Sequence, residues 1–249
     1  MLDDIIEHDE WNHTVKKMPK APKIKYPEIY GLLAFDGVRN PSARSSTSHR
    51  ISMAYRTKAN DWLPKIGMCE SAAEFAVALE VLIHPDTYDL RFQSHTVKFV
   101  DEVGKNRSYT HDLLATDRKG KRRAIFVRNE KSLSKPKTRR EIRAIIAATS
   151  LRIADEMIVV SASSYPRQRR ENLFRMHAYV FDGDTEADDI VWGVASRLSS
   201  LWLVKDLYDH VPLPQWRILR SCYRLVARQK MVANLNHVLS ENSRIEVAA

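Results

Sequence analysis

Glu74 and Asp112 are two carboxylates in settings that suit a divalent cation. Glu74 opens an apolar helical pattern, and Asp112 sits in a strand-like stretch beside Leu113 and Leu114. Magnesium takes oxygen ligands and keeps several of its waters. A metal held this way polarises a phosphodiester and lowers the pKa of an attacking water. The same chemistry wants a third acid and a lysine on the next strand, the lysine to offset charge in the transition state. There the sequence reads Phe126-Val127-Arg128. Residues two apart on a strand share a face, so Phe126 and Arg128 stand where acid and lysine would act. Phe126 has no ligand atom. Arg128 stays protonated and is a poor proton acceptor. Glu130, two residues further on, shares that face and would serve only after a shift of register.

These residues need positioning elements. SYTHDLLATDRKGKRRAIFVRN, residues 108–129, reads as a two-stranded hairpin with Asp112 on its first strand and a charged turn at Asp-Arg-Lys-Gly-Lys. Before it, ESAAEFAVALEVLIH places Phe75, Ala78, Leu79 and Leu82 on one helix face. Ser71-x-x-Glu74 is a capping-box pattern, and His84-Pro85-Asp86 ends the helix. DLRFQSHTVKFV is strand-like. After the hairpin, a helix begins near Thr138 with Ile142, Ile145, Ile146 and Leu151 inward. EMIVVSAS then suits a buried strand, and RQRRENLFRMHAYVF a basic helix. Helix, strands, helix, strand, helix predicts an α/β domain with a mixed central sheet over residues 61–182.

The stretch from Glu70 to Arg128 resembles TnsA-like transposon endonucleases, a branch of the restriction-endonuclease-like fold. The matching pieces are Glu70-Ser71-Ala72-Ala73-Glu74, Phe92-Gln93-Ser94, Tyr109-Thr110-His111-Asp112 and Ala124-Ile125-Phe126-Val127-Arg128. The resemblance covers about residues 60–180. It implies a helix glutamate at Glu74, a strand aspartate at Asp112 and a lysine position at Arg128. Ser94 stands where the family has proline, and Phe126 where it has Glu or Gln. The resemblance therefore implies a remnant catalytic site, Glu74, Asp112 and Arg128, in a pseudo-nuclease. Magnesium would be held by Glu74 and Asp112 only if the site were active, and otherwise no cofactor is expected.

The chain of 249 residues carries a formal net charge of +9, and 44% of its residues are hydrophobic. That excess of cations points to an acidic partner, of which nucleic acid is the commonest. Residues 1–60 read as a basic arm, with Tyr26, Tyr30, Phe35 and Tyr55 available to dock it. Arg122 and Arg123 on the hairpin, with Lys137, Arg139 and Arg140 at the following helix start, form a cluster suited to phosphates. A cationic helix start opposes the macrodipole, so phosphate binding gives the cluster a reason.

An acidic stretch, FDGDTEADD, breaks the chain near residue 182. Residues 183–249 read as a mainly α, winged-helix-like domain: helix, short helix, a Pro-Leu-Pro turn, helix, then a β-like pair. On the last helix Arg217, Arg220 and Arg224 recur with Gln215 and Ser221 close by. Trp216, Leu219, Tyr223 and Val226 form a separate stripe expected to face the core. Arginine reads guanine and glutamine reads adenine in the major groove. Arg244 in the wing would touch the backbone.

Two isolated cysteines exclude a zinc cluster and a disulfide framework. No run approaches the roughly 18 apolar residues of a membrane helix, and the acidic start is not a signal peptide. The expected protein is cytoplasmic and nucleoid-associated. It binds double-stranded DNA sequence-selectively, as a homodimer, as a transcriptional regulator. The alternative is an active metal-dependent endonuclease of a mobile element. A third reading is a non-catalytic subunit that recruits a transposase.

Overall fold

The computed structural model describes residues 27–41 and 50–248. Most of the expected basic arm, residues 1–26 and 42–49 with Tyr26, lies outside the described residues. Of its other docking aromatics, Phe35 packs against the core and Tyr55 is inside it, whereas Tyr30 is fully exposed.

β1 (Ile51–Tyr55) and β2 (Lys65–Cys69) form an antiparallel hairpin around a 3-10 turn at Lys58–Asn60. α1 (Ala72–Ile83) follows. Ser71 caps it, its Oγ accepting the Glu74 N–H at 3.2 Å, and Pro85 forbids continuation. β3 (Thr87–Phe92) enters the central sheet. The chain leaves that sheet at Gln93, whose φ of 48° lies in the left-handed region. β4 (Thr96–Val100) and β5 (Asn106–Thr110) make a separate hairpin. β6 (Leu113–Asp117) returns to the sheet and turns through Gly120, φ 83°, into β7 (Arg122–Arg128).

The expected 108–129 hairpin is thus divided. Its first residues pair with β4, and Asp112 sits at the junction of β5 and β6, not within a strand. α2 (Glu130–Leu133) and α3 (Pro136–Ala148) lead to β8 (Glu156–Ser161), which pairs with β7 in parallel. The sheet order is β3-β6-β7-β8, with the first two pairings antiparallel. The sheet is mixed, as the sequence pattern implies.

α4 (Arg167–Phe181) and α5 (Thr185–Ala195) come next, then a 3-10 turn at Val204–Leu207 in place of the expected short helix. α6 (Gln215–Ala227) precedes a two-stranded antiparallel pair, β9 (Met231–Ala233) and β10 (Ile245–Val247). Leu203 bridges Arg244 beside that pair.

Two large bodies of apolar side chains cover the sheet, with a small cluster of Leu114, Ala124 and Ala154 beside the second. One runs from Leu79 of α1 through Phe92, Leu113 and Ile125 to Leu173 and Met176 of α4, and on to Val191, Ile218, Tyr223 and Ile245. The C-terminal helices therefore share one core with α1 and the sheet. The other body packs α3 on the opposite face, with Phe126 against Val97, Phe99, Ile142 and Ile145. Each buried side chain of this size stabilises the fold by about 1.5–3 kcal/mol. Ile146 and Leu151, expected inward on α3, are exposed, because the helix ends at Ala148 and its buried face is narrower. β8 is an edge strand, not a buried one, and exposes Ile158 and Val159.

Candidate functional site

The N-terminus of α1 and the β5–β6 junction bring Glu74 and Asp112 into one buried acidic site. Ser71 Oγ donates to Glu74 Oε1 at 3.2 Å, and the Glu70 N–H donates to Oε2 at 2.8 Å. Glu74 is thereby both cap partner and buried acid. Asp112 Oδ2 accepts the Tyr109 hydroxyl at 2.9 Å and the Val127 N–H at 3.3 Å. Burial raises both carboxyl pKa values, and the charge of Asp112 raises that of Glu74 further. Arg128, exposed at the end of β7, opposes the rise at Asp112. Burial and the same acids push the Cys69 thiol well up, which disfavours its thiolate.

One step beyond the Leu113–Ile125 pair, Phe126 falls opposite Asp112. Phe126 and Arg128 share a face, with the guanidinium 5.0 Å from the ring centroid. Phe126 is 2% exposed and lies 5.0 Å, centroid to centroid, from Tyr109. A phenyl ring packed against a tyrosine thus stands where the sequence pattern calls for a third acid. These residues do not fit a magnesium centre. Among the described residues no group of three or more His, Cys, Asp or Glu is placed to hold a metal ion.

Three further residues complete the site. Gln93 is fully buried beside Asp112, its N–H bonded to the Asp112 carbonyl at 2.9 Å. Its Oε1 accepts two N–H groups of Arg39, at 3.0 and 2.9 Å, and Arg39 also meets Glu70 at 3.0 Å. Tyr109 is the third. A glutamine between two strand patterns was the available signal for Gln93. Nothing local marked Arg39, which reaches the site across fifty-four positions of sequence.

The expected DNA contacts separate sharply. Arg122 is spent on Asp155 and on the carbonyls of Leu151 and Arg152, and Arg123 on Glu156 and Asp117. Arg217 is held by Asp184 and Glu186. Ser221 and Arg224 are buried and both bond Asp188, which also pairs with Arg228. These five residues therefore do not form an exposed reading face. For the three on α6, the reason is which face of that helix is buried. Its buried residues include Ile218, Ser221, Cys222, Tyr223, Arg224 and Leu225, so Tyr223 of the expected stripe faces the core, Leu219 and Val226 pack against it, and Trp216 is exposed. Gln215 and Arg220 are exposed, Arg220 lying over the rings of Trp216 and Tyr179. Arg140 pairs with Glu102; Arg244 pairs with Glu246 and stacks 3.9 Å from Trp202.

What stays open is α2 and the exposed side of α3. Lys131, Lys135, Lys137, Arg139 and Arg143 are exposed and form no ion pair among the described residues. They follow Arg128 along the chain. No helix among the described residues is long and apolar enough to cross a membrane. No family model matches the chain, and no curated protein matches it in sequence.

Proposed function

We propose that this chain is a non-cleaving, duplex-DNA-binding protein built on a restriction-endonuclease-like core, acting as a regulator at DNA sites. The observation that carries the reading is the buried Phe126 ring opposite Asp112, where hydrolysis needs a third ligand. The acid pair remains, but a metal centre made of it alone lacks the ligands that phosphodiester hydrolysis requires. The exposed cations of α2 and α3 supply a surface suited to phosphate oxygens.

The C-terminal order supports a winged-helix-like unit. A helix, a strand bridge at Leu203, a short 3-10 turn, a longer helix and an antiparallel pair follow one another. Its second long helix, α6, packs on α4, where Tyr223 lies against Tyr179, and Asn172 of α4 bonds the carbonyls of Leu235 and His237 in the segment after β9. Much of the face that would read bases is thereby used within the chain. Backbone contacts from α2 and α3 then carry most of the affinity, and base reading narrows to Gln215 and Arg220.

The test is a pair of assays on the full chain. Fluorescence anisotropy with duplex oligonucleotides should show binding that weakens steeply with salt. Plasmid DNA with magnesium or manganese should stay uncut. Cleavage that Asp112→Ala abolishes would replace this reading with a metal-dependent endonuclease. Failure to retain duplex at low salt would remove DNA binding.

A further inference from the structure

The two edges of the central sheet are treated differently. β3, at one edge, carries Asp89 and Arg91, breaks register between Thr87 and Asp89, and is packed by β2 and the 3-10 turn at Lys58–Asn60. The Tyr55 hydroxyl also bonds the Leu90 carbonyl there at 2.9 Å. Charges, bulges and covering elements are the devices that stop an edge strand from pairing with another chain. β8, at the other edge, has no bulge and only one charge, Glu156 at its start. Its sequence is Glu-Met-Ile-Val-Val-Ser, without proline, lysine or bulge, and its ladder to β7 is regular. Beyond the ladder to β7, no backbone hydrogen bond from Glu156–Ser161 to other described residues closes its outer side. Ile158 and Val159 are 38% and 39% exposed, one on each face of the sheet.

We infer that β8 pairs antiparallel with β8 of a second copy, joining two four-stranded sheets into one of eight strands about a two-fold axis. The sequence of β8 is complementary to itself in this arrangement. A two-fold axis perpendicular to the sheet keeps each residue on its own face, so residues of equal parity meet. With the axis at Val159, that residue faces Val159 of the partner subunit. Ile158 then faces Val160 of the partner subunit, and both are apolar. Met157 faces Ser161 of the partner subunit. The sole charged residue of the strand, Glu156, lies at its start, so the two copies of it fall at opposite ends of the new ladder. No like charges oppose, a juxtaposition that destabilises strand pairs. Ile158 and Val160 also line an open cavity of about 640 Å³ with Val77 and Val81 of α1. The added strand brings apolar side chains to the rim of that cavity. An interface of this kind is isologous and closes at two subunits.

The experiment uses the full chain without DNA, so it stands apart from the DNA-binding reading. Light scattering after size exclusion should give a dimer for the wild type and a monomer for Val159→Lys with an unchanged circular dichroism spectrum. Val159→Cys keeps the shape of the strand and tests the register. It should yield a disulfide-linked dimer on mild oxidation, whereas Met157→Cys, opposite a serine, should not. Cys69 and Cys222 are buried and supply the uncrosslinked control. A wild type that is monomeric at every concentration, a folded Val159→Lys dimer, or equal crosslinking of the two cysteine variants would overturn the inference.

Discussion

Tyr109 holds Asp112. Its hydroxyl donates to Asp112 Oδ2 at 2.9 Å while its ring lies against Phe126. The acid at the β5–β6 junction is thus kept by an internal donor, and the position opposite it is part of the α3 core. Phe126→Ala should cost about 3–5 kcal/mol, the range for deleting a buried phenyl ring. Urea denaturation followed by circular dichroism measures this. Phe126→Glu with Arg128→Lys should be destabilised further and should not gain plasmid cleavage, because a carboxylate there enters an apolar cluster.

The cations should divide into two kinds by salt titration of duplex binding. Neutralising Lys135, Lys137 or Arg143 one at a time should each reduce the slope of log affinity against log salt by about 1. Arg122→Ala should leave that slope unchanged and lower stability instead, since its guanidinium bonds Asp155 and two carbonyls.

Arg224→Ala should be strongly destabilising. Arg224 and Asp188 are both nearly inaccessible and meet at 2.7 Å. Removing one member of a buried pair strands the other charge and costs about 3–5 kcal/mol. Thermal unfolding of Arg224→Ala and of Arg220→Ala, whose side chain is exposed, should separate a structural arginine from a surface one.

Glu74 should make stability depend on pH. Its folded pKa is raised, chiefly by burial and by Asp112, so the native state binds more protons than the unfolded state above the ordinary carboxylate range. Stability then falls as pH rises through that window. Glu74→Gln should flatten the fall between pH 5 and neutrality, read from denaturation midpoints at a series of pH values. His111 acts in the opposite sense. Burial lowers its pKa to about 4, so it contributes stability that is lost as pH drops below about 6.5.

The sequence carried the periodic elements well. The 3.6-residue pattern of α1, its Ser71 cap and its Pro85 stop are all local, and each is found where the pattern puts it. The mixed sheet followed from element order. Two kinds of feature were hidden. The division of residues 108–129 between two hairpins depends on β4 as a partner, which no local pattern names. The buried face of α6 depends on Asp188, thirty-six positions away from Arg224, because an arginine that finds an interior acid reads as surface in any one-dimensional pattern. For the same reason Arg122 and Arg217 resemble phosphate ligands until Asp155 and Asp184 are placed beside them. Glu74 and Asp112 were visible as types, whereas Arg39 and Gln93 join them only through the folded path of the chain.

The apolar body that runs from α1 through α4 to α6 and β10 bears on how the chain is made. A ribosome that has released everything up to the end of α4 has exposed a helix whose inner stripe, Leu173 and Met176, still awaits its cover. That cover is synthesised after it. Premature termination between α4 and β10 should therefore yield a chain that proteases clear, and not a lighter working version of the protein.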